Sequence, residues 1–101
     1  MTPQDFFKND LFAERAGIVL MEVREGYSKA RLEIKKEHLN AGNRTQGGAI
    51  FTLADLALAA AANSHGQLAF SLSSNITFLR ASGIGAVSYT HLRAHETLMN
   101  L

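Results

Sequence analysis

An α+β domain, with antiparallel strands set against one central helix, is the fold class this 101-residue chain predicts. Three observations carry it. Residues 18–24 and 27–35 are strand-like runs separated by Glu25-Gly26, the pattern of a hairpin. Residues 47–64 form an alanine-rich run that is apolar nearly all round. A helix of that kind is usually wrapped by other structure, for example by a curved sheet. Residues 68–79 then alternate again as a strand.

Each element has its own signal. A first helix is expected over residues 3–16, because Pro3 suits an opening turn and Gly17 suits an end. Phe6, Phe7, Leu11 and Phe12 would form its apolar face, and Lys8, Asp10, Glu14 and Arg15 its wet one. In the second hairpin strand Tyr27, Lys29, Arg31, Glu33 and Lys35 fall on one side, and Ala30, Leu32 and Ile34 on the other. Residues 36–46 read as a loop, with Asn40, Gly42, Asn43 and Arg44 all suited to turns. The central helix closes near His65-Gly66, and its small alanines permit close approach of a sheet or a partner. His38 is expected on the surface of the loop, and His65 at the helix C-terminus, where a cation suits the dipole. In the last strand Ser71, Ser73, Asn75 and Thr77 share one face, and Leu72, Ser74, Ile76 and Phe78 the other. No repeat or low-complexity linker is visible.

Composition excludes several functions. Hydrophobic residues make up 47% of the chain, enough for one folded domain. The net charge of +1 offers no electrostatic case for nucleic acid or an anionic membrane. Cysteine is absent, which removes disulfides, thiolate metal sites and a cysteine nucleophile, and fits a cytoplasmic setting. The N-terminus lacks the pattern of a signal peptide, and the most apolar stretch is too short and too weakly hydrophobic to span a membrane.

The chemistry points to the central helix. Asp55 is the only charged residue between Arg44 and Arg80, in the middle of an apolar run. Burying a carboxylate is costly unless something compensates it, so its place calls for a reason. Gly47-Gly48 opens the helix, where first-turn amides have no intrahelical partner and the dipole adds positive potential. Glycine lets a ligand approach the backbone closely. An amide there could polarise a carbonyl and hold the oxyanion formed on attack. Asp55, about two turns along, could act as general base or nucleophile. Asn40 could donate a second hydrogen bond or pin the loop. The same residues also admit plain roles: Asp55 as a hydrogen-bonded structural acid, Gly47-Gly48 as a tight turn, Asn40 as a turn residue, and Ser71 as polar filler. His91 and His95 have the i, i+4 spacing of a helical metal pair, but no third ligand is evident, and no metal site is expected.

Residues 38–55, His-Leu-Asn-Ala-Gly-Asn-Arg-Thr-Gln-Gly-Gly-Ala-Ile-Phe-Thr-Leu-Ala-Asp, followed by residues 71–80, Ser-Leu-Ser-Ser-Asn-Ile-Thr-Phe-Leu-Arg, resemble the hotdog-fold acyl-CoA thioesterases of the phenylacetate-degradation type. The resemblance covers roughly residues 5–84. It implies an antiparallel sheet wrapped around a long helix, two subunits pairing to make the active sites, and assembly as a homodimer or homotetramer. It implies that the Gly47 amide and Asn40 polarise the thioester carbonyl. Asp55 of the other subunit would activate water or attack directly. Ser71 would orient the water, with Ser73 as the alternative on the same face, and Gly48 would border the substrate. The implied substrate is an acyl-CoA, with no cofactor. Many relatives carry His where this chain has Gln46. Glutamine still hydrogen-bonds but cannot gain a proton near neutral pH, so Gln46 is given a positioning role.

A larger departure follows Gly85. The family continues with three more strands, whereas residues 86–101 lack the alternation and turn glycines expected of them and look like translated adapter or vector sequence. The expectation is a partial hotdog domain at residues 1–85, lacking its last strands, and a tail of foreign origin at 86–101. In the family's strand order that loss would leave an edge of the hairpin and an edge of the 68–79 strand unpaired, which favours aggregation. Three readings compete with thioester hydrolysis. A hydroxyacyl-thioester dehydratase would need a catalytic His, and none falls at the Gly-Gly helix. A non-catalytic acyl-CoA binding module would bind equally well with Asp55→Asn. A non-functional fragment would show no cooperative unfolding.

Overall fold

The computed structural model describes residues 3–65 and 82–93. Two short helices, α1 (Pro3–Phe7) and α2 (Leu11–Ala16), precede a hairpin of β1 (Val19–Arg24) and β2 (Tyr27–Glu33). A 3-10 turn, Lys36–His38, leads to the long helix α3 (Gly47–Asn63), and β3 (Val87–Arg93) closes the described chain. The sheet order is β1-β2-β3, antiparallel throughout.

The single helix expected over residues 3–16 is two helices. Asp10 divides them, because its Oδ1 accepts the Ala13 amide at 3.1 Å and so begins a new helix. Gly17, in the left-handed region at φ 86°, ends α2 as expected. The break also turns the apolar face. Ala13 enters the core and Phe7 packs against it, while Phe6, Leu11 and Phe12 stay exposed.

The second hairpin strand follows its alternation except at its start, where Tyr27, expected on the wet side, is buried beside Ser28. Ala30, Leu32 and Ile34 are fully or almost fully buried, as their shared side predicts. They meet Leu53, Leu56 and Ala57 of α3 to form the core, with Ala13 and Ile18 at its flank. Ala57 is completely covered, so its small side chain lets the helix lie close on the sheet. Hydrogen bonds tie helix to hairpin: Ser28 Oγ donates to the Ala57 carbonyl at 2.5 Å, and the Gly26 amide donates to Ser64 Oγ at 2.7 Å. Leu32→Ala removes a wholly buried side chain from this contact and is expected to lower stability by about 2–5 kcal/mol, read from the urea midpoint at unchanged slope.

The segment after Ala86 corrects the reading of it as strandless. β3 pairs with β2 in unbroken register, from Tyr27 with Arg93 to Glu33 with Val87. Val87, Tyr89 and Thr90 are residue types suited to a pleated surface, and they form a strand although no turn glycine divides the segment. The pairing is set at its start, where the Ile34 amide donates to the Ala86 carbonyl at 2.8 Å and the Gly85 amide to the Ile34 carbonyl at 3.1 Å. The β2 edge expected to lie open is therefore paired. The expected 68–79 strand, with Ser71 and Ser73, lies outside the described residues.

Candidate active site

The loop between the hairpin and α3 is built from its own side chains. Asn40 Oδ1 accepts the amides of Gly42 at 2.9 Å and Arg44 at 3.2 Å, a local clasp natural to Asn. The Asn40 amide donates to the Arg44 carbonyl at 2.7 Å, and Leu39 and Thr45 form an antiparallel bridge. Asn43 takes the left-handed conformation, φ 61°, which Asn tolerates better than most residues. The Thr45 amide and hydroxyl both reach the Ser82 carbonyl, at 2.7 and 3.0 Å. Asn40 thus pins the loop, one of its two expected roles.

His38 corrects its placement on the surface. It is buried, and both ring nitrogens have partners. Nδ1 accepts the Lys35 amide at 2.8 Å, so Nε2 carries the proton and donates to the Ala16 carbonyl at 2.5 Å. Its own carbonyl accepts the Gln46 amide at 2.7 Å. One residue therefore joins the end of α2 to the start of α3. Nothing in the local sequence announced it, since the Ala16 partner lies far back along the chain. His65 lies just after α3, as expected, 3.7 Å from the Glu25 carboxylate.

α3 opens where the Gly-Gly pair predicts. Gln46 is its N-cap, with extended backbone (φ −62°, ψ 128°), and Gly47 is the first helical residue. The Gly47 amide donates to the Gln46 side-chain oxygen at 3.1 Å, and the Ala49 amide to the Gln46 carbonyl at 2.9 Å. Gln46 is exposed, so its side chain can swing away from the Gly47 amide. A Cβ placed on Gly48 would meet nothing nearer than Gln46 Cγ at 3.9 Å, so packing within this chain does not require glycine there.

Asp55 is exposed, not buried. The cost of burying a carboxylate therefore does not explain its place within one chain. Helical periodicity does: Leu53 and Leu56 turn into the sheet, while Gly48, Thr52 and Asp55, spaced i, i+4, i+7, share the outward stripe. Gly47 and Asp55 are separated by about 12 Å of helix rise. A carbonyl held at one is out of reach of the other in the same chain. Gly47 and Gln46 meet at the helix start, Asn40 is tied into the loop before it, and Asp55 stands apart from Gly47.

A cleft of about 800 Å³ opens beside the first turn of α3. Gln46, Gly48, Ala49 and Thr52 line one wall, and Leu11, Phe12 and Ala16 of α2 the other. The α2 residues were missed because the expected single helix put Leu11 and Phe12 in the core. The available signal was Asp10 immediately before Leu11, an N-cap pattern. His91 lies on β3 and not on a helix, so the helical His91–His95 spacing does not hold. Among the described residues, no cluster of three or more His, Asp or Glu could hold a metal, and no helix is long and apolar enough to cross a membrane.

The thioesterase superfamily model matches residues 42–96, more than half of the chain and the segment that carries the end of the loop, α3 and β3. The chain belongs to the thioesterase superfamily. A protein of Archaeoglobus fulgidus, provisionally named an esterase, is 49% identical over 76 residues, which are 75% of this chain and 49% of that protein. Acyl-coenzyme A thioesterase PaaI of Escherichia coli K12 is 34% identical over 79 residues, 78% of this chain and 56% of the relative. The chain thus spans about half the length of the curated relatives it matches. The solved structure of E. coli PaaI superposes with a TM-score of 0.82 at 31% identity, covering 86% of this chain and 63% of that one. A hypothetical thioesterase protein of Streptococcus pneumoniae with coenzyme A gives 0.74 at 26% identity, covering 82% and 67%. The fold is the hotdog thioesterase fold, of which the described residues hold the central helix and three strands.

Proposed function

We propose that this thioesterase-superfamily chain hydrolyses acyl-CoA thioesters at a site completed by a second copy of itself. The observation that carries the reading is the Gly47 amide, at the first turn of α3 beside an open cleft, held among the described residues only by the exposed side chain of its neighbour Gln46. The thioester carbonyl displaces that side chain and takes the amide, which then stabilises the oxyanion. Asn40 Oδ1 is committed to the loop, so its contribution to the carbonyl comes from its Nδ2 amide. Gly48 borders the substrate, and Gln46 positions it.

Asp55 of the second copy takes a proton from water as the water oxygen bonds to the acyl carbon. The C–S bond then breaks, CoA leaves as thiolate and is protonated, and the free acid is released. Attack by the Asp55 carboxylate itself would instead pass through an acyl anhydride that water opens. Ser71, or Ser73 on the same face, orients the water. Neither route draws on a metal or redox cofactor. Support for the substrate comes from the named activity of E. coli PaaI and from the coenzyme A in the S. pneumoniae neighbour.

Acyl-CoA hydrolysis, acyl-CoA binding and sedimentation of the purified chain and its Asp55→Asn variant test the reading. A soluble oligomer whose hydrolysis depends on Asp55 is the expected result. Binding without hydrolysis in both proteins would instead make the chain an acyl-CoA binding module.

A further inference from the structure

We infer that the cleft between α2 and the first turn of α3 seats the acyl group of the substrate, and that Phe12 and Leu11 determine which acyl groups are accepted. The inference rests on the thioesterase reading above. Gln46 and Gly48 both line the cleft and flank Gly47 in the chain. A thioester whose carbonyl sits on the Gly47 amide therefore has its acyl carbon at the cleft mouth. One substituent, the sulfur, must lead outward to CoA; the other, the acyl chain, has the cleft before it. The volume of about 800 Å³ falls in the range of small-molecule pockets.

The far wall is held in place and carries an exposed apolar pair. Leu11 is 58% and Phe12 73% exposed. Yet α2 is capped at both ends, by Asp10 and Gly17, so this exposure belongs to an ordered wall. His38 sets the two walls against each other: its ring takes the Ala16 carbonyl of α2, and its backbone carbonyl takes the Gln46 amide at the start of α3. The cleft width is thereby fixed by the residue that also places the carbonyl-binding turn. The charged lining residues, Arg15 and Glu37, are exposed, and Leu11, Phe12, Ala16 and Ala49 supply the apolar surface. The acyl group that fits is uncharged, apolar and larger than acetyl.

The test is kcat/KM for acetyl-, hexanoyl-, benzoyl- and succinyl-CoA, in the wild type, Phe12→Ala and, as a control outside the cleft, Phe6→Ala. Hexanoyl- and benzoyl-CoA are expected to be preferred over acetyl- and succinyl-CoA. Phe12→Ala should cut the hexanoyl-to-acetyl preference by about tenfold or more, the scale of lost apolar contact in a pocket, while Phe6→Ala leaves the ratio alone. Melting and sedimentation accompany each variant. An unchanged ratio in an active Phe12→Ala variant overturns this inference and leaves the thioesterase reading standing. So does dissociation of the oligomer by Phe12→Ala, which would assign Phe12 to a second copy. A folded wild type inactive on all four substrates overturns both.

Discussion

Gly47→Pro is expected to fold like the wild type and to hydrolyse acyl-CoA about 100- to 1,000-fold more slowly, the usual consequence of removing one oxyanion donor. Backbone amides can seldom be deleted by mutation, but this position allows it. Gly47 is the first residue of α3, where proline is favoured and the missing N–H breaks no intrahelical bond. Gln46 already has the extended backbone that a residue before proline needs, φ −62° and ψ 128°. Among the described residues, the partner lost is the Gln46 side-chain oxygen, which is exposed and free to bond water. The melting midpoint is the control. Hydrolysis at wild-type rate in a folded Gly47→Pro protein would remove the Gly47 amide from the reaction.

Asp55→Asn should lower kcat by about 100- to 10,000-fold, as loss of a positioned base does. Asp55 is exposed in the single chain, so the change carries no folding penalty from burial. The more informative experiment mixes the two inactive proteins after unfolding and refolding them together. About 12 Å of helix separates Gly47 from Asp55, so a site that uses both draws them from different subunits. In a two-fold dimer each mixed pair then contains one fully native site and one doubly damaged site, and random pairing should restore about a quarter of wild-type activity. A mixture no more active than its components would mean that both residues serve one chain's own site, or that Asp55 is not in the site. Dilution supplies an independent readout, since activity at a shared site falls as subunits separate.

Much of this arrangement was legible beforehand because it is written in local pattern. The hairpin was readable from the alternation of Ala30, Leu32 and Ile34 and from Glu25-Gly26, since pleating sends alternate residues to one face. The start of α3 was readable from Gly47-Gly48, and the loop clasp from Asn40. The break at Asp10 was also local and was missed because Pro3 and Gly17 bracket one helix as well as two. β3 was missed for a different reason. Its partner, β2, is far away in sequence, and a strand of weak local pattern can be completed by the register that a neighbour imposes.

Local pattern was enough for the hairpin, the face of β2 that enters the core, the central helix and its start, and the residue types available for carbonyl polarisation and proton transfer, because each depends on neighbours within a few positions. Packing between distant segments set the rest: His38 is buried between α2 and α3, Leu11 and Phe12 face a cleft, and Asp55 stands outward, away from Gly47. Those facts depend on which distant backbone groups meet. A histidine with both nitrogens bonded, or a carboxylate turned from its own sheet, acquires its environment from packing and not from its place in the chain.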